Sequence, residues 1–386
     1  MAGHIALVLP QDRFFLTHFI ARARAAQARG WRVTVVAPET GSGTIIKAAG
    51  FAFEPLPMDR HSANPLRELG VILHLVRLYH RIKPDLVHQV AIKPILFGTL
   101  AARLNRVPRI LNALVGMGFV TVSQSAKARL LRPFLRFALA RLINPRGSLA
   151  VFENAEDLAA FVAQGSVRAE SAVLIRGAGV DTNIFHPTPE PSLPVTVVLA
   201  GRLIREKGVE EFVAAARLLR ERGTNARFVL VGSPDESGIS SIPQQRIRDW
   251  VAEGVVEWWG HRTDMPEVMR ACHVFCLPSY REGLPKVTLE AMASARAIVT
   301  TDTVGCREPV RDGDNGLLVP LKDAESLATA LGSLIENTEL RHRLARRSRE
   351  RAETEFSDDV VVRQTMEVYD HLFTPQQGVR LAGETV

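Results

Sequence analysis

Two carboxylates and a tight turn mark one short stretch of the sequence, REGLPKVTLEAMA at residues 281–293. Glu282 stands just before a Gly-Leu-Pro turn, and Glu290 falls in the segment after it, whose pattern predicts a helix. The first amides of such a helix favour an anion. Glu282 can then reach hydroxyl groups held over those amides, and Glu290 can reach a group lying beside the helix. Both acids would engage one anionic ligand with two hydroxyl-bearing parts.

A second motif supplies positive charge in the same half of the chain. The segment LAGRLIREKGVEEFV places Arg202 just after a predicted strand and Lys207 in the turn before a helix. An arginine fork and a lysine point charge together suit a diphosphate. The two cations and the two acids therefore predict a nucleotide-sugar site. The alternatives are a solvated basic turn for the cations, and a helix cap with a surface acid for the carboxylates.

Short apolar strands alternate with helical segments along the whole chain, as in HIALVLP followed by FLTHFIARARAAQARG and RVTVVAP. This βαβ spacing predicts the α/β class with parallel sheets. The scheme restarts after HPTPEPSLP, a proline-rich stretch at 186–194 that predicts a linker. We expect two Rossmann-like domains, 1–188 and 189–356, facing each other across a cleft that holds the ligand. A capped amphipathic helix within 357–386 is expected to pack back onto the first domain, followed by a tail.

Cysteine content and apolar runs indicate the cellular compartment in which the protein is expected. The 386 residues include only three cysteines, too few and too clustered for a secreted disulfide framework, so a reducing compartment is expected. The first residues lack a signal-peptide pattern, and no run approaches the roughly 18 apolar residues of a spanning helix. We expect a cytoplasmic protein.

The net charge of +7 is unevenly distributed. Residues 86–152 contain ten Lys or Arg and no acid, which favours an anionic partner. Part of this block, SAKARLLRPFLRFALARLI, carries Arg129, Arg132 and Arg136 at helical spacing beside an apolar stripe. Such a helix can lie on an anionic membrane surface, and the alternative is an ordinary helix with an arginine-rich solvent face. Few aromatics and no known motif argue against nucleic acid.

Three segments carry a resemblance to a known family: GRLIREKG, GVDTNIFHP and the long run VFCLPSYREGLPKVTLEAMASARAIVTTDTVGCREPVRDGDNGLLV. They resemble the signatures of retaining GT-B glycosyltransferases of family 4, and the E-x7-E pair with EGLP is their most specific part. The likeness implies that Glu290 binds the donor ribose, and that Glu282 with the Gly283–Leu284 backbone holds the sugar. It implies that Arg202 and Lys207 neutralise the diphosphate. The rest of the predicted donor set is Arg262 near the base, Lys286, Gly201 and Gly232.

The first half is similar to a narrower branch, which extends undecaprenyl-diphosphate-linked sugars, through FFLTHFIARA, QVAIKPILFGTLAARL and NALVGMGFV. Lys93, His18 and Gly116 are the predicted acceptor-side residues. Ile92 stands where some relatives have a histidine, so His18 is a candidate substitute, with a structural helix-start residue as the alternative. The first loop, LPQDRFFLTH, lacks the paired glycines of many members. His88 ends a buried-looking strand and is predicted to be a core residue.

No ligand cluster for a metal is recognised, and Asp312-Gly-Asp314 is predicted to be a plain turn. No GxGxxG follows a strand, which argues against a nicotinamide cofactor. The sequence therefore predicts a metal-independent retaining glycosyltransferase, without cofactor, that uses a UDP-sugar and a lipid-diphosphate-linked saccharide at the inner face of the plasma membrane. The alternatives are a soluble acceptor, a non-catalytic nucleotide-sugar or membrane-binding protein, and a nucleotide-sugar epimerase.

Overall fold

The computed structural model describes residues 3–59, 62, 64–115, 137–235 and 240–374. Contacts divide the chain into two compact units. The first unit comprises Met1–Ala178 and Val361–Val386, and the second comprises Gly179–Val360. Within the described ranges, no helix is both long and apolar enough to cross a bilayer.

A parallel sheet of seven described strands forms the centre of the first unit, in the order β3-β2-β1-β4-β5-β6-β7. Its strands are β1 (His4–Val8), β2 (Arg32–Ala37), β3 (Ala52–Pro55), β4 (Leu86–Val90), β5 (Arg109–Leu114), β6 (Ser148–Phe152) and β7 (Ala172–Leu174). The central strands are mostly apolar and are buried along their length, as expected for a parallel sheet covered on both faces.

Helices and one π-helical segment (Phe15–Phe19) connect these strands. The helices are α1 (Asp12–Phe14), α2 (Ile20–Ala28), α3 (Gly43–Ala48), α4 (Pro65–Ile82), α5 (Ile92–Leu104) and α6 (Ala155–Ala163). Capping side chains explain where two of them begin. The Asn64 side chain accepts from the Leu66 and Arg67 amides with Pro65 at the first position of α4, and Asn154 accepts from the Asp157 amide of α6.

The second unit repeats this architecture with a parallel sheet of six described strands, in the order β10-β9-β8-β11-β12-β13. Its strands are β8 (Val195–Ala200), β9 (Ala226–Val231), β10 (Glu257–Trp258), β11 (Val274–Leu277), β12 (Ala297–Thr301) and β13 (Leu317–Val319). Its helices are α7 (Val209–Glu221), α8 (Gln244–Ala252), α9 (Met265–Arg270), α10 (Lys286–Ala293), α11 (Ala324–Glu336) and α12 (Thr338–Glu355). The predicted α/β class with two Rossmann-like domains is confirmed.

The last helix, α13 (Asp358–Phe373), runs from the second unit into the first. Its Val361, Met366 and Val368 are buried in the core formed by β1, β2 and the helices beside them. The Tyr369 hydroxyl lies 2.8 Å from Nδ1 of His88, which is 3% exposed. Burial, with the Arg22 charge adding to it, lowers the pKa of His88 to about 3, so the imidazole is neutral. The prediction that His88 is a core residue is confirmed.

The domain boundary was predicted at 188/189, whereas contacts in the structure divide the two units at Ala178 and Gly179. The proline-rich stretch does not behave as a free linker. Glu190 pairs with the buried Arg341 of α12 at 2.7 Å, and the Arg296 guanidinium donates to Thr188. Backbone bonds join Val180 to Phe356 and Asp358. These contacts place residues 179–194 in the second unit.

Candidate active site

Glycines end two neighbouring strands of the second sheet and bring their following loops into contact. Gly201 follows β8 and Gly232 follows β9, both at positive φ. The Gly201 amide donates to the Val231 carbonyl at 2.9 Å. A Cβ on Gly232 would lie 1.8 Å from the Gly201 carbonyl oxygen, so the approach requires glycine there. These two predicted donor-site glycines therefore lie side by side at the carboxyl edge of the sheet.

The turn after β8 is fixed against the loop after β11. Residues Arg205–Lys207 form one 3-10 turn, and Gly208 has a φ of +69°. A Cβ on Gly208 would lie 2.1 Å from the Pro278 carbonyl oxygen, which shows how closely the two loops pack. The Tyr280 amide also donates to the Glu206 carbonyl at 2.8 Å. Because β8 and β11 adjoin at the reversal of strand order, this is where parallel α/β sheets bind ligands.

Lys207 and Glu282 meet across these two loops. The lysine Nζ lies 2.5 Å from Glu282 Oε1, and both side chains are largely buried. A close cation and carboxylate hold each other in position, and each can turn a further hydrogen-bonding group toward a ligand. The Glu282 amide donates to the Val304 carbonyl at 3.1 Å, and Gly305 packs against the Glu282 and Gly283 carbonyls. The structure thus brings together two residues that are far apart in the sequence.

Glu290 lies in the second turn of α10 and is 9% exposed. Burial raises the pKa of its carboxyl to about 7, and the charge of Lys286 one turn earlier opposes this only in part. Within the described residues, no hydrogen bond or ion pair reaches the Glu290 carboxylate. An unpaired buried carboxyl is costly to folding, which makes Glu290 a strong candidate for binding a ligand.

Lys286 and Leu284 have structural contacts of their own. The Lys286 Nζ donates to the Gly179 carbonyl at 3.1 Å, so its charge lies at the first turn of α10. Leu284 is buried in the core beneath the loop. This packing fixes the backbone at Gly283 and Leu284, the stretch expected to hold a sugar.

Two predicted arginines lie at the rim and are already paired. Arg202 is 55% exposed and binds Asp235 at 2.8 Å. Arg262 donates from Nε to Asp264 at 2.7 Å, and the hydrogen bond to Asp264 raises its pKa. To bind a ligand, each arginine would have to share its aspartate partner with the ligand or break that ion pair. Lys207 is paired as well, but its partner Glu282 belongs to the same predicted donor site and both side chains are largely buried.

The Asp312-Gly-Asp314 segment uses its carboxylates within the protein. The Leu318 amide donates to Asp312, and Arg347 donates to Asp314 at 2.9 Å. Among the described residues, no group of three or more His, Cys, Asp or Glu side chains could hold a metal ion. Gly313 has a φ of +71°, as the tight turn requires. The geometry is that of the predicted plain turn.

In the first unit, Lys93 binds the segment that precedes α4 and the first turn of that helix. Its ammonium donates to the Asp59 and Ser62 carbonyls at 2.7 and 2.6 Å and to Glu68 at 2.7 Å. Three donors thus meet three acceptors, an arrangement that joins the start of α5 to the start of α4. The predicted acceptor contact of Lys93 stays a prediction, since a ligand would have to replace one of these partners.

His18 lies in the π-helical turn, a feature often found at functional sites. Its ring stacks on Phe14 with centroids 4.0 Å apart, and Nδ1 lies 2.7 Å from the Thr17 hydroxyl. Gly116 and the arginines 129, 132 and 136 lie outside the described residues. The acceptor-side assignments therefore stay predictions.

Comparison with known proteins matches both units to glycosyltransferases. The family described as "Glycosyl transferase 4-like" matches residues 4–144, and the family "Glycosyl transferases group 1" matches residues 194–337. The structure of HepE from Anabaena, solved in complex with UDP and glucose, superposes with a TM-score of 0.75 at 20% identity. That match covers 95% of this chain and 99% of HepE. The chain belongs to the GT-B glycosyltransferases of group 1.

Two curated relatives extend over most of this glycosyltransferase. One is N,N'-diacetylbacillosaminyl-diphospho-undecaprenol alpha-1,3-N-acetylgalactosaminyltransferase of Campylobacter jejuni, 28% identical, covering 90% of this chain and 93% of the relative. The other is the capsular polysaccharide biosynthesis glycosyltransferase CapM of Staphylococcus aureus, 22% identical, covering 84% of this chain and 86% of CapM. Both matches include the two units.

Several residues that position the site of this glycosyltransferase were not foreseen from the sequence. Gly208 and Gly305 allow the loops after β8, β11 and β12 to touch. In the first unit, Asp12 accepts from the Thr40 and Ser42 amides at 2.7 and 2.8 Å. That carboxylate fixes the first loop. An aspartate at the start of the first helix was the available signal for this role.

Proposed function

We propose that the protein is a retaining glycosyltransferase that moves a sugar from a UDP-sugar to a lipid-diphosphate-linked saccharide. The observation that carries the proposal is the Lys207–Glu282 pair at the reversal of strand order, with the buried Glu290 on the helix that follows. Lys207, Glu282 and Glu290 would then bind the diphosphate, the sugar and the ribose of one donor, respectively.

Each part of the donor has a matching group. The Glu290 carboxylate would accept hydrogen bonds from the ribose hydroxyls, an interaction that also compensates its burial. Lys207, the α10 N-terminus and Arg202 at the rim would stabilise the diphosphate. Glu282 would accept from sugar hydroxyls. The UDP and glucose bound to HepE support the choice of UDP as the nucleotide.

In the proposed reaction, an acceptor hydroxyl oxygen bonds to the anomeric carbon from the face that the leaving group occupies. The bond between that carbon and the UDP oxygen breaks, and the hydroxyl proton passes to the leaving phosphate. Atoms and charges balance without a protein nucleophile, a cofactor or a metal. Lys207 stabilises the charge that develops on the diphosphate, so its effect is greatest in the transition state.

The acceptor assignment rests on the relatives and on the basic first half. The Campylobacter relative is named for a diphospho-undecaprenol-linked acceptor. The ten cations and no acids of residues 86–152 would favour an anionic membrane surface, at the inner face of the plasma membrane. Lys93 and His18, with Gly116, are the proposed acceptor-side contacts.

The test is a donor-by-acceptor screen with mass detection, using UDP-sugars, one lipid-diphosphate-linked acceptor series and its soluble truncated counterparts. We expect one UDP-sugar to be transferred, with anomeric configuration kept, and with activity unchanged in EDTA. Loss of activity in EDTA with recovery on adding Mg²⁺ or Mn²⁺ would overturn metal independence. Transfer with an inverted product would overturn retention, and no transfer from any UDP-sugar would overturn the donor.

The same screen separates the other candidates. Equal transfer rates to soluble and lipid-linked acceptors would favour a soluble acceptor. Conversion of a UDP-sugar without acceptor would indicate an epimerase. Binding of UDP without any turnover would indicate a non-catalytic protein.

A further inference from the structure

Hydrogen bonds to the end of β9 and to the loop after it fix the backbone on both sides of Arg202. The Gly201 amide donates to the Val231 carbonyl at 2.9 Å, and the Leu203 amide donates to the Ser233 carbonyl at 3.0 Å. Leu203 is also fully buried in the core of the second unit. The backbone of Arg202 therefore has one position, whereas its side chain, which is 55% exposed, needs a restraint of its own.

The carboxylate of Asp235, in the loop after β9, supplies that restraint. Nη1 of Arg202 donates to Oδ2 of Asp235 at 2.8 Å. The two side chains differ in burial, since that of Asp235 is only 12% exposed. Asp235 follows Pro234, which forms an isolated parallel bridge with Leu203. The carboxylate is thus the fixed member of the pair, and it restricts the rotamers of the longer arginine side chain.

The pair leaves most of the Arg202 guanidinium available for a ligand. A guanidinium carries five N–H donors, and Asp235 accepts from only one of the two on Nη1. Among the residues that the structure describes, none accepts a hydrogen bond from Nε or Nη2 of Arg202. These two nitrogens form one edge of the guanidinium, which matches two oxygens of a phosphate. Arg202 can therefore keep Asp235 and bind a phosphate at the same time.

An ordinary surface ion pair is the alternative, and the position of the pair argues against it. The surface pair Arg217–Glu253 joins α7 to the end of α8, with side chains that are 40% and 47% exposed. The Arg202–Asp235 pair instead joins the two loops whose glycines touch at the carboxyl edge of the sheet, with one largely buried member. Ligands of parallel α/β sheets bind at this edge.

We propose that Asp235 is a positioning residue, which holds Arg202 in the orientation that binds the diphosphate of the donor. This inference rests on the proposed function for the identity of the ligand. An arginine that is already ordered in the free protein loses less conformational entropy when the ligand binds. The negative charge of Asp235 opposes an anionic ligand, so its contribution comes from orientation and not from charge.

The test compares D235A with D235N, because both substitutions remove the negative charge and only asparagine keeps an oxygen that accepts from Arg202. UDP is the probe, and titration calorimetry measures its dissociation constant. We expect UDP to bind about two- to tenfold more weakly to D235A than to D235N, because one side chain is no longer ordered. Binding to D235N should be at least as tight as to the wild type, since the opposing charge is gone.

The same pair of substitutions in R202A decides whether Asp235 acts through the arginine. In that background D235A and D235N should bind UDP equally, because the side chain that they orient is absent. A difference of the same size in both backgrounds would overturn the proposal in favour of a purely structural role. Equal binding with Arg202 present, or tighter binding by D235A, would overturn it as well.

D314A is the matched control, since Asp314 also pairs with an exposed arginine, Arg347, at 2.9 Å. It should bind UDP like the wild type. Exposed ion pairs add little to stability, so D235A and D314A should both melt close to the wild type. If UDP binds as expected but no UDP-sugar is transferred, the proposed function fails and the role of Asp235 stands. Absence of UDP binding by the wild type would contradict both.

Discussion

At the scale of single residues, Glu290 is the side chain whose environment departs most clearly from its ordinary chemistry within the donor site. It is buried, lacks a partner among the described residues, and has a pKa raised to about 7 by that burial. A buried acid destabilises a protein when ionised, unless a ligand or partner bonds to it. Residues that are poor for stability and favourable for binding are typical of functional sites.

Replacing Glu290 by Gln should separate these two effects. We expect UDP to bind about ten- to a hundredfold more weakly, because a hydrogen bond to a charged group contributes about 1.5–3 kcal/mol. Wild-type affinity should fall as pH is lowered through about 7, where the carboxylate becomes protonated, while that of the variant should change little. Titration calorimetry across this pH range measures both, and equal affinities of the two proteins would contradict the ribose role.

The variant should bind UDP more weakly than the wild type, but without nucleotide it should be the more stable protein at slightly alkaline pH. A carboxyl whose folded pKa is raised contributes stability below its ordinary pKa of 4.5, and this contribution is lost as pH rises to about 7. Above pH 7, Glu290→Gln should therefore be more stable than the wild type, by on the order of 2 kcal/mol. Urea unfolding at acidic and at slightly alkaline pH provides the comparison.

At the scale of elements, the site depends on loops held together by close backbone contact. Gly208 ends the turn after β8 and touches the Pro278 carbonyl at the end of β11. The Lys207–Glu282 pair lies immediately beside this contact. A change that separates the loops should therefore disturb the pair without removing either side chain.

Gly208→Ala tests this coupling, with Gly223→Ala as its control. Both glycines have positive φ, so either alanine costs about 1–2 kcal/mol in backbone strain. A Cβ at Gly208 also meets Pro278 at 2.1 Å, whereas one at Gly223 meets nothing within 4 Å. We expect the first variant to be destabilised further and to lose transfer activity, and the second to keep its activity. Equal activities in assays at saturating donor would show that the contact does not position the site.

At the scale of the whole molecule, the chain returns to its first unit through α13. Val361, Met366, Val368 and Tyr369 complete a core whose other members lie before residue 176. The first unit is therefore not a contiguous segment, and its stability depends on the last helix.

Ending the chain at Ser357 should destabilise the first unit far more than ending it at Thr374. The shorter chain loses four buried side chains, each worth about 1.5–3 kcal/mol, and leaves His88 without its Tyr369 partner. The chain ending at Thr374 keeps all of α13. Thermal unfolding should show an early transition in the shorter chain, and identical melting curves would contradict the role assigned to the helix.

The sequence alone determined much of this protein. The alternation of apolar strands and helices predicted two parallel α/β domains, because local periodicity reports which faces are buried. The helical pattern after the Gly-Leu-Pro turn placed Glu290 in the second turn of α10, since helix geometry sets the rise per residue.

Only the tertiary structure decided which of these residues meet. Lys207 and Glu282 are 75 positions apart and pair because β8 and β11 adjoin in the sheet. The prolines at 186–194 are typical of linkers, whereas the pairing of Glu190 with Arg341 depends on a helix far along the chain. Lys93 looked available for a ligand until its three acceptors were located. Long-range contacts of this kind are set by strand order and burial, which no local pattern encodes.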